Sequence, residues 1–562
     1  MPANVPDPLS RPPSPSKGSG RVPLRPQPMV RWLSPGVLLD SALRVALSGI
    51  FGQYADKREF QVALDPTPGP PLTYGAADEQ DGALWLDFVA DLGDGFDSTY
   101  AVASLLGRPR LAVTGEPHDL QLPRGRALLM GGDEVYPVPS RAAYEDRFRG
   151  PYAAALPGPL AAPPDLLAIP GNHDWYDGLT NFLGVFCAGR WIGAWRTRQR
   201  RSYFALRLPR RWWVLAIDIQ LDTYIDDSQL DYFRGVGLER GDRVILVTGK
   251  PSWVKVRPDH EPASHRNLRY FRERVVEPTG ASVAVTLTGD LHHYARYTAD
   301  DGDELITAGG GGAYLYPTHR LEEELHLPGR AGRHRLAACF PSAAESKRLA
   351  WGALRLPVLA PGLCAILSVL YALLDGALFA ALASGPGWWV AVGAVALVVS
   401  GSLLLYAAAR TLPERLLAGG AHALAHLLLA AAPAVVAVTL LGSSGPVPGL
   451  LAAAASAGTG FLLGGVMFGL YLVLSQAFVP RHVNEVLACQ GIPDFKNFLR
   501  LRLDERGLTI YPVGLRRVPR VWAPPAEQGP EEPLLRPTDR DLVAELIERP
   551  IVISGVAGEP RR

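Results

Sequence analysis

Residues 165–175, DLLAIPGNHDW, carry the decisive pattern: a short apolar run closes on proline and glycine, and Asn172, His173 and Asp174 follow in consecutive positions. A run of this length bounded by a turn reads as a buried strand. Polar groups set directly behind a strand stand where an α/β sheet holds its ligands. Six further runs between residues 80 and 320 repeat the pattern: LWLDFVADLGD (84–94), RALLMGGDEVY (126–136), RWWVLAIDIQ (211–220), RVILVTGKP (243–251), SVAVTLTGD (282–290) and ELITAGGGG (304–312). Near-continuous apolar strands of this kind imply an α/β domain whose sheet is covered on its faces.

The chain around this region is 562 residues long, beyond the roughly 250–300 residues at which one core stops growing, so more than one domain is expected. It carries 56 Lys and Arg against 55 Asp and Glu, a net charge of +1, which offers no electrostatic footprint for nucleic acid. Four scattered cysteines, Cys187, Cys339, Cys364 and Cys489, form no CxxC or disulfide framework and read as buried thiols in a reducing compartment.

Behind Arg355 the composition changes. Four apolar segments, about 356–383, 387–409, 417–441 and 449–478, are each long enough to cross a hydrocarbon core of about 30 Å as a helix. Lys347, Arg348 and Arg355 precede the first, Arg410 and Arg415 lie between the second and third, and Arg481 follows the last, while the 384–388 and 442–448 connections carry no Lys or Arg. Both termini are therefore expected on the cytoplasmic side of a multi-pass inner or plasma membrane protein. Inside the third segment His422 and His426 share one helix face, open either to a metal or headgroup or to interfacial solvation. Asp375 in the first is expected to face a polar partner, one of these histidines.

The remaining boundaries follow. Residues 1–30 are a Pro-rich tail expected to be disordered. Residues 31–80 hold an amphipathic stretch from Trp32 to Phe51, either on the membrane surface or packed on the α/β domain. Residues 81–340 are expected to form the α/β domain, 356–478 the membrane domain and 479–562 a small cytoplasmic appendix. In that appendix FLRLRLDERGLTIYPVGL reads as a hairpin turning at Glu505, Arg506 and Gly507, and DLVAELI (541–547) as a short helix.

Four blocks carry the chemistry: Asp91-Leu92-Gly93, Gly132-Asp133-Glu134-Val135-Tyr136, Gly171-Asn172-His173-Asp174 and Gly289-Asp290-Leu291-His292-His293. Carboxylate, amide oxygen and imidazole at strand ends are donors suited to Fe, Mn or Zn. In this order the blocks resemble the calcineurin-like metallophosphoesterase superfamily, with DxG and GDxxY in the form seen in purple acid phosphatases. The resemblance covers about residues 85–320. It implies a four-layer α/β/β/α sandwich, two divalent or trivalent metal ions (Mn, Fe or Zn), and hydrolysis of a phosphomonoester or phosphodiester by direct attack of water.

Carried over position by position, the resemblance has Asp133 bridging both ions, with Asp91, Tyr136 and His292 completing the first site and Asn172 and Asp290 serving the second. His173 would stabilise the transition state or protonate the leaving oxygen, oriented by Asp174. The sequence departs from the family where a histidine is usual. Gly249 and Lys250 follow one strand, and Asp290 replaces the first histidine of the last motif. Fewer imidazole donors favour a harder ion such as Mn or Mg, or a weakly held second ion.

Several residues have a second-rank role. Lys250 either contacts substrate phosphate or is solvated. Asp94 either takes up the vacated ligand position or caps a helix. His293 points away from His292 in an extended strand, and His319 lines the cleft. The run Gly309–Gly312 either approaches a phosphate or makes a tight turn. Asp218, Gln220 and Asp222 face the same rim. The whole reads as an α/β phosphoesterase domain joined to an all-α four-helix transmembrane domain and a β-containing C-terminal tail. Its partners are a phosphate-ester substrate, among them a lipid-linked one, and the lipid bilayer; a phosphate-ligand sensor or scaffold is the alternative.

Overall fold

The computed structural model describes residues 24–40, 58, 61–62, 69–115, 118–219, 224–330, 332–407, 411–478, 481–527, 529 and 531–555. The chain divides into two compact units. One comprises Met1–Val30, Ser41–Ser342 and Pro493–Arg562, the other Arg31–Asp40 and Ala343–Ile492.

In the first unit each of the seven apolar runs begins with a strand: β1 Leu84–Val89, β2 Ala127–Met130, β3 Asp165–Ala168, β4 Trp212–Ile217, β5 Arg243–Thr248, β6 Ser282–Thr288 and β7 Glu304–Ala308. Among the described residues the strands form an eleven-stranded and a nine-stranded mixed sheet, with helices between them in sequence, and a short two-stranded one. In the larger, β1, β2 and β3 run parallel, with Val89 beside Met130 and Met130 beside Ala168. In the other, β4 to β7 run parallel, with Ile217 beside Thr248 and Thr248 beside Thr288. The carboxyl ends are thus level, and the residues that follow them share one rim.

The C-terminal segment does not stand apart as an appendix. Its hairpin forms, as β8 Lys496–Asp504 and β9 Gly507–Leu515, and β8 pairs antiparallel with β1, Leu501 opposite Leu86. β8 buries Phe498, Leu499, Leu501 and Leu503 in the same sheet that carries the first motif. DLVAELI is a strand, Ala544–Leu546, and not a helix. It pairs with β9 and with Arg110–Thr114, so cross-strand pairing outweighs its local helix propensity.

The second unit has four helices long and apolar enough to cross a membrane, Pro361–Ser384, Pro386–Tyr406, Leu412–Leu441 and Pro446–Phe478. Val390, Leu417, Leu440 and Phe478 on these helices are each more than three-quarters exposed. His422 and His426 are buried, not interfacial. Asp375 does not bond either of them; its Oδ1 accepts the backbone N–H of Ala434 at 2.6 Å.

Of the Trp32–Phe51 stretch, residues 35–40 are helical, and 41–51 lie outside the described residues, as do 1–23 of the tail. Cys187 and Cys339 are half-buried, Cys364 and Cys489 buried, and all four are free thiols.

Candidate metal centre

Three of the acidic candidates leave their strands in the same way. Asp91, Asp133 and Asp290 follow β1, β2 and β6 and have φ of +59°, +56° and +68°. Asp tolerates this left-handed conformation better than most residues, and backbone held there gathers at functional sites. The turns send the three carboxylates onto one centre.

The Tyr136 hydroxyl lies 3.1 Å from Asp133 Oδ2, 3.3 Å from Asp91 Oδ1 and 3.1 Å from His292 Nε2. His292 Nδ1 faces the Tyr314 carbonyl at 2.9 Å, which assigns the ring proton to Nδ1 and the lone pair to Nε2. One hydroxyl proton is thus shared among three acceptor atoms. A second group meets at the other side of Asp133. One end of the Asn172 amide lies 3.2 Å from Asp133 Oδ2 and 3.3 Å from Asp290 Oδ1, and its other end 3.2 Å from the Tyr176 hydroxyl. Turned as an amine it bonds both carboxylates; turned as an oxygen it makes three oxygens converge with no proton between them. Asp133 belongs to both groups.

Asp91 Oδ2 is buried with no hydrogen-bond partner among the described residues. Burial first, then the charges of Asp133 and Asp290, push the Asp91 carboxyl well above the usual carboxylate range. Burial, then Asp174 and Asp290, do the same to Asp133. Among the described residues no three His, Cys, Asp or Glu side chains by themselves cage one point; the donor set is mixed, with phenol and amide between the carboxylates. That set nonetheless fits a cation. Crowded acceptors, an unbonded buried carboxylate oxygen and mutual repulsion are what a multiply charged ion relieves. The Nδ1 bond of His292 is the outer-sphere contact that aims a ligating imidazole.

His173 is the second residue of the short helix Asn172–Trp175. Its backbone N–H donates to Asp133 Oδ1 at 2.9 Å, and its Nδ1 meets the Pro137 carbonyl at 2.7 Å. The ring packs on Tyr136 and Tyr176, with centroids 4.4 and 5.0 Å away. Burial lowers its pKa to about 4. The Pro137 carbonyl orients this ring, not Asp174. The Asp174 carboxylate is a fastener of the loop: its Oδ2 accepts the N–H groups of Gly171 (2.8 Å) and Asp133 (3.0 Å), and its Oδ1 the Tyr144 hydroxyl.

The second-rank candidates divide. Asp94 is buried and clamps the chain, Oδ1 accepting from Val30 N at 2.8 Å and Oδ2 from Tyr314 N at 3.1 Å. His293 is fully buried, its Nδ1 3.4 Å from the Tyr316 carbonyl and its Nε2 unbonded among the described residues. Lys250, two residues past β5, and His319, in the loop after β7, are half-buried. Asp218 does not face the rim; it is buried against Ser202 Oγ (2.7 Å) and Trp175 Nε1 (3.2 Å). Gln220 and Asp222 lie outside the described residues. The glycine run packs on the centre. A Cβ at Gly309 would stand 2.0 Å from Asp91 Oδ2 and one at Gly310 2.1 Å from Asn497 Nδ2.

Lys496 was not legible as a site residue. Fully buried on β8, its Nζ donates to the carbonyl of Ala313, whose N–H in turn donates to the Asp91 carbonyl at 2.9 Å. Burial lowers its pKa to about 8, against the pull of Asp94, Asp494 and Asp91. The one signal in the sequence is a lysine opening an otherwise apolar alternation.

No protein-family model matches the chain, and none of the curated proteins does. Among solved structures, GAP50, the anchor in the inner membrane complex of Plasmodium, is 11% identical over 46% of this chain and 84% of its own, with a TM-score of 0.31. The purple acid phosphatase PPD1 from yellow lupin (Lupinus luteus) seeds is 13% identical over 45% of this chain and 47% of its own, TM-score 0.28. A dimetal phosphatase from Danio rerio is 15% identical over 45% and 96%, TM-score 0.26. At such scores the likeness carries nothing further, and the chemistry has to come from the site.

Proposed function

We propose that the first unit is a metal-dependent phosphoesterase acting on a phosphomonoester or phosphodiester. The observation that carries this reading is the crowding of Asp91 Oδ1, Asp133 Oδ2 and His292 Nε2 around the single proton of Tyr136. In it Asp91, Asp133, Tyr136 and His292 hold one ion, and Asn172, Asp290 and Asp133 a second. Ions of this kind supply charge neutralisation for the phosphate oxygens and acidity for the attacking water.

His173 supplies the proton. With Nδ1–H turned to Pro137, Nε2 is its acceptor end, and burial keeps the ring neutral near pH 7. An arriving phosphate brings negative charge that favours the imidazolium, so the ring takes a proton with the substrate and returns it from Nε2 to the leaving oxygen. Asp174 holds the turn that aims it. Lys250 contributes a fixed charge toward the phosphate. The four apolar helices set this chemistry on a bilayer, with both termini on the cytoplasmic side, which puts lipid-linked esters among the substrates to be tested.

The test is hydrolysis of p-nitrophenyl phosphate, its bis-ester and lipid phosphates by detergent-purified protein with Mn, Fe, Zn or Mg added. Metal-dependent turnover lost in His173→Ala and Asp133→Asn is the expected result. Folded protein that turns over none of them with any metal overturns the enzyme and leaves a phosphate-binding sensor.

A further inference from the structure

The second unit, taken by itself, buries a line of polar side chains among apolar helices. Tyr371 on the helix Pro361–Ser384 meets His426 Nδ1 through its hydroxyl at 2.7 Å. His426 Nε2 meets His422 Nε2 at 2.9 Å. The His422 ring lies flat on Tyr471, with centroids 4.0 Å apart and an interplanar angle of 8°. The Tyr471 hydroxyl is 3.4 Å from His482 Nε2, and His482 Nδ1 is 3.3 Å from Glu485 Oε1, beyond the end of the last helix. Asp375 stands one turn past Tyr371 on the same helix and is fully buried.

Each of these groups has a cost in hydrocarbon that packing does not repay, and Asp375 shows which part of its role is structural. Pro433 lies inside the helix Leu412–Leu441, where it supplies no N–H, and Ser456 Oγ donates to the Ala430 carbonyl. The Ala434 N–H, next to that proline, donates to Asp375 Oδ1 at 2.6 Å. An asparagine would serve that bond equally well. The second oxygen, Oδ2, is buried and unbonded among the described residues, and so is His422 Nδ1. These two unbonded atoms are the two ends of the His422–His426–Tyr371–Asp375 line.

We propose that this line is a proton relay leading from His422 Nδ1 to the carboxylate of Asp375. In the starting tautomer His422 carries its proton on Nε2 and His426 on Nδ1. A proton arrives at His422 Nδ1. The Nε2 proton of His422 passes to His426 Nε2, the Nδ1 proton of His426 to the Tyr371 oxygen, and the Tyr371 hydroxyl proton, across one bridging water, to Asp375 Oδ2. One proton enters and one is bound as the carboxylic acid; no other bond changes and no charge is left on the way. Gly460 and Gly464 give the Tyr371 ring its room, since a Cβ at either would stand 2.9 or 3.2 Å from it. The titratable groups beside the line are Tyr406, stacked on His482 at 4.3 Å, and Tyr471; Cys364 lies two turns before Tyr371, and Glu414 and Arg415 open the histidine helix.

The experiment is time-resolved infrared spectroscopy of the full chain in detergent after a downward pH jump. The wild type is expected to gain a buried carboxylic-acid band that shifts in heavy water and is missing in Asp375→Asn. Tyr371→Phe, which keeps the ring packed against both glycines, is expected to reach the same final band but to lose its fast phase, and His422→Gln likewise. A band absent from the wild type overturns the proposal, and so does an unchanged rate in folded Tyr371→Phe.

Discussion

Arg500 and Asp87, 413 residues apart in the chain, form a doubly hydrogen-bonded ion pair inside the larger sheet, with Nε to Oδ1 at 2.7 Å and Nη2 to Oδ2 at 3.1 Å. Both are almost wholly buried, and Arg500 also donates to the Leu122 carbonyl. The pair sits between β8 and β1 at matched register, Arg500 opposite Asp87, four residues before Asp91. Removing one partner of a buried pair leaves an uncompensated charge, at a cost of about 3–5 kcal/mol. Arg500→Ala is therefore expected to lower the unfolding free energy of the first unit by that order and to weaken metal binding with it. A chain ending at residue 492 exposes the edge of β1 and is expected not to yield a folded first unit. Urea unfolding followed by tryptophan fluorescence measures both; unchanged stability in Arg500→Ala would show that the pair is idle.

Gly171 sets the distance between the second and third motifs. A Cβ there would stand 2.0 Å from Asp133 Oδ1 and 2.3 Å from the Asp133 nitrogen, and the backbone atom has no rotamer with which to withdraw. Gly171→Ala is expected to destabilise by about 1–3 kcal/mol through overpacking and to abolish Mn or Zn binding by titration calorimetry while the fold persists. Wild-type affinity in this variant would separate Asp133 from the metal.

Asp91→Asn should have opposite effects on stability and on binding. Burial and the neighbouring carboxylates oppose ionisation of Asp91, so removing its charge relieves the metal-free protein. The expected gain is about 0.5–2 kcal/mol in chelator-treated protein, the usual range where a strained functional site is neutralised. The same substitution should erase the stabilisation that added metal gives the wild type. Calorimetry with and without metal reads both quantities, and a metal-free Asp91→Asn less stable than wild type would contradict the crowded-acceptor reading.

How far the sequence carried these inferences depends on the range of the interactions involved. The seven strands were legible because a strand covered on both faces is a plain apolar run, and the cluster was legible because its donors follow those strands within two to six residues. Pairings across hundreds of residues left no local trace, so Lys496, Arg500 and the return of β8 to β1 were missed. Asp174 was misassigned for a related reason. Adjacency to His173 suggested a side-chain partner, whereas the tight turn aims its carboxylate at the N–H groups of Gly171 and Asp133. The glycine run was ambiguous until its neighbours, Asp91 and Asn497, were placed against it. In the second unit the expected partner of Asp375 was a side chain, and the structure supplies a backbone one, the Ala434 N–H beside Pro433.

His265 gives the first unit a pH dependence away from the candidate metal centre. It is buried in the helix Ala263–Phe271 with Nδ1 3.4 Å from Ser252 Oγ, and burial lowers its pKa to about 4 despite the nearby Glu261 carboxylate. His173 and His293 are lowered to about 4 as well, by the same cause. In the unfolded chain each titrates near 6.5. Between those values the unfolded state holds more protons than the folded one, so stability rises with pH across this window and is lost as pH falls from about 6.5 toward 4. Each such histidine contributes a slope of at most about 1.4 kcal/mol per pH unit. His265→Gln keeps a hydrogen-bonding end near Ser252 and removes one titrating group. Its unfolding free energy, measured in chelator between pH 4 and 7, is expected to fall less steeply with acid than that of the wild type, with the two curves parallel above pH 7. A variant whose slope matched the wild type throughout would mean that His265 titrates alike in the folded and unfolded chain.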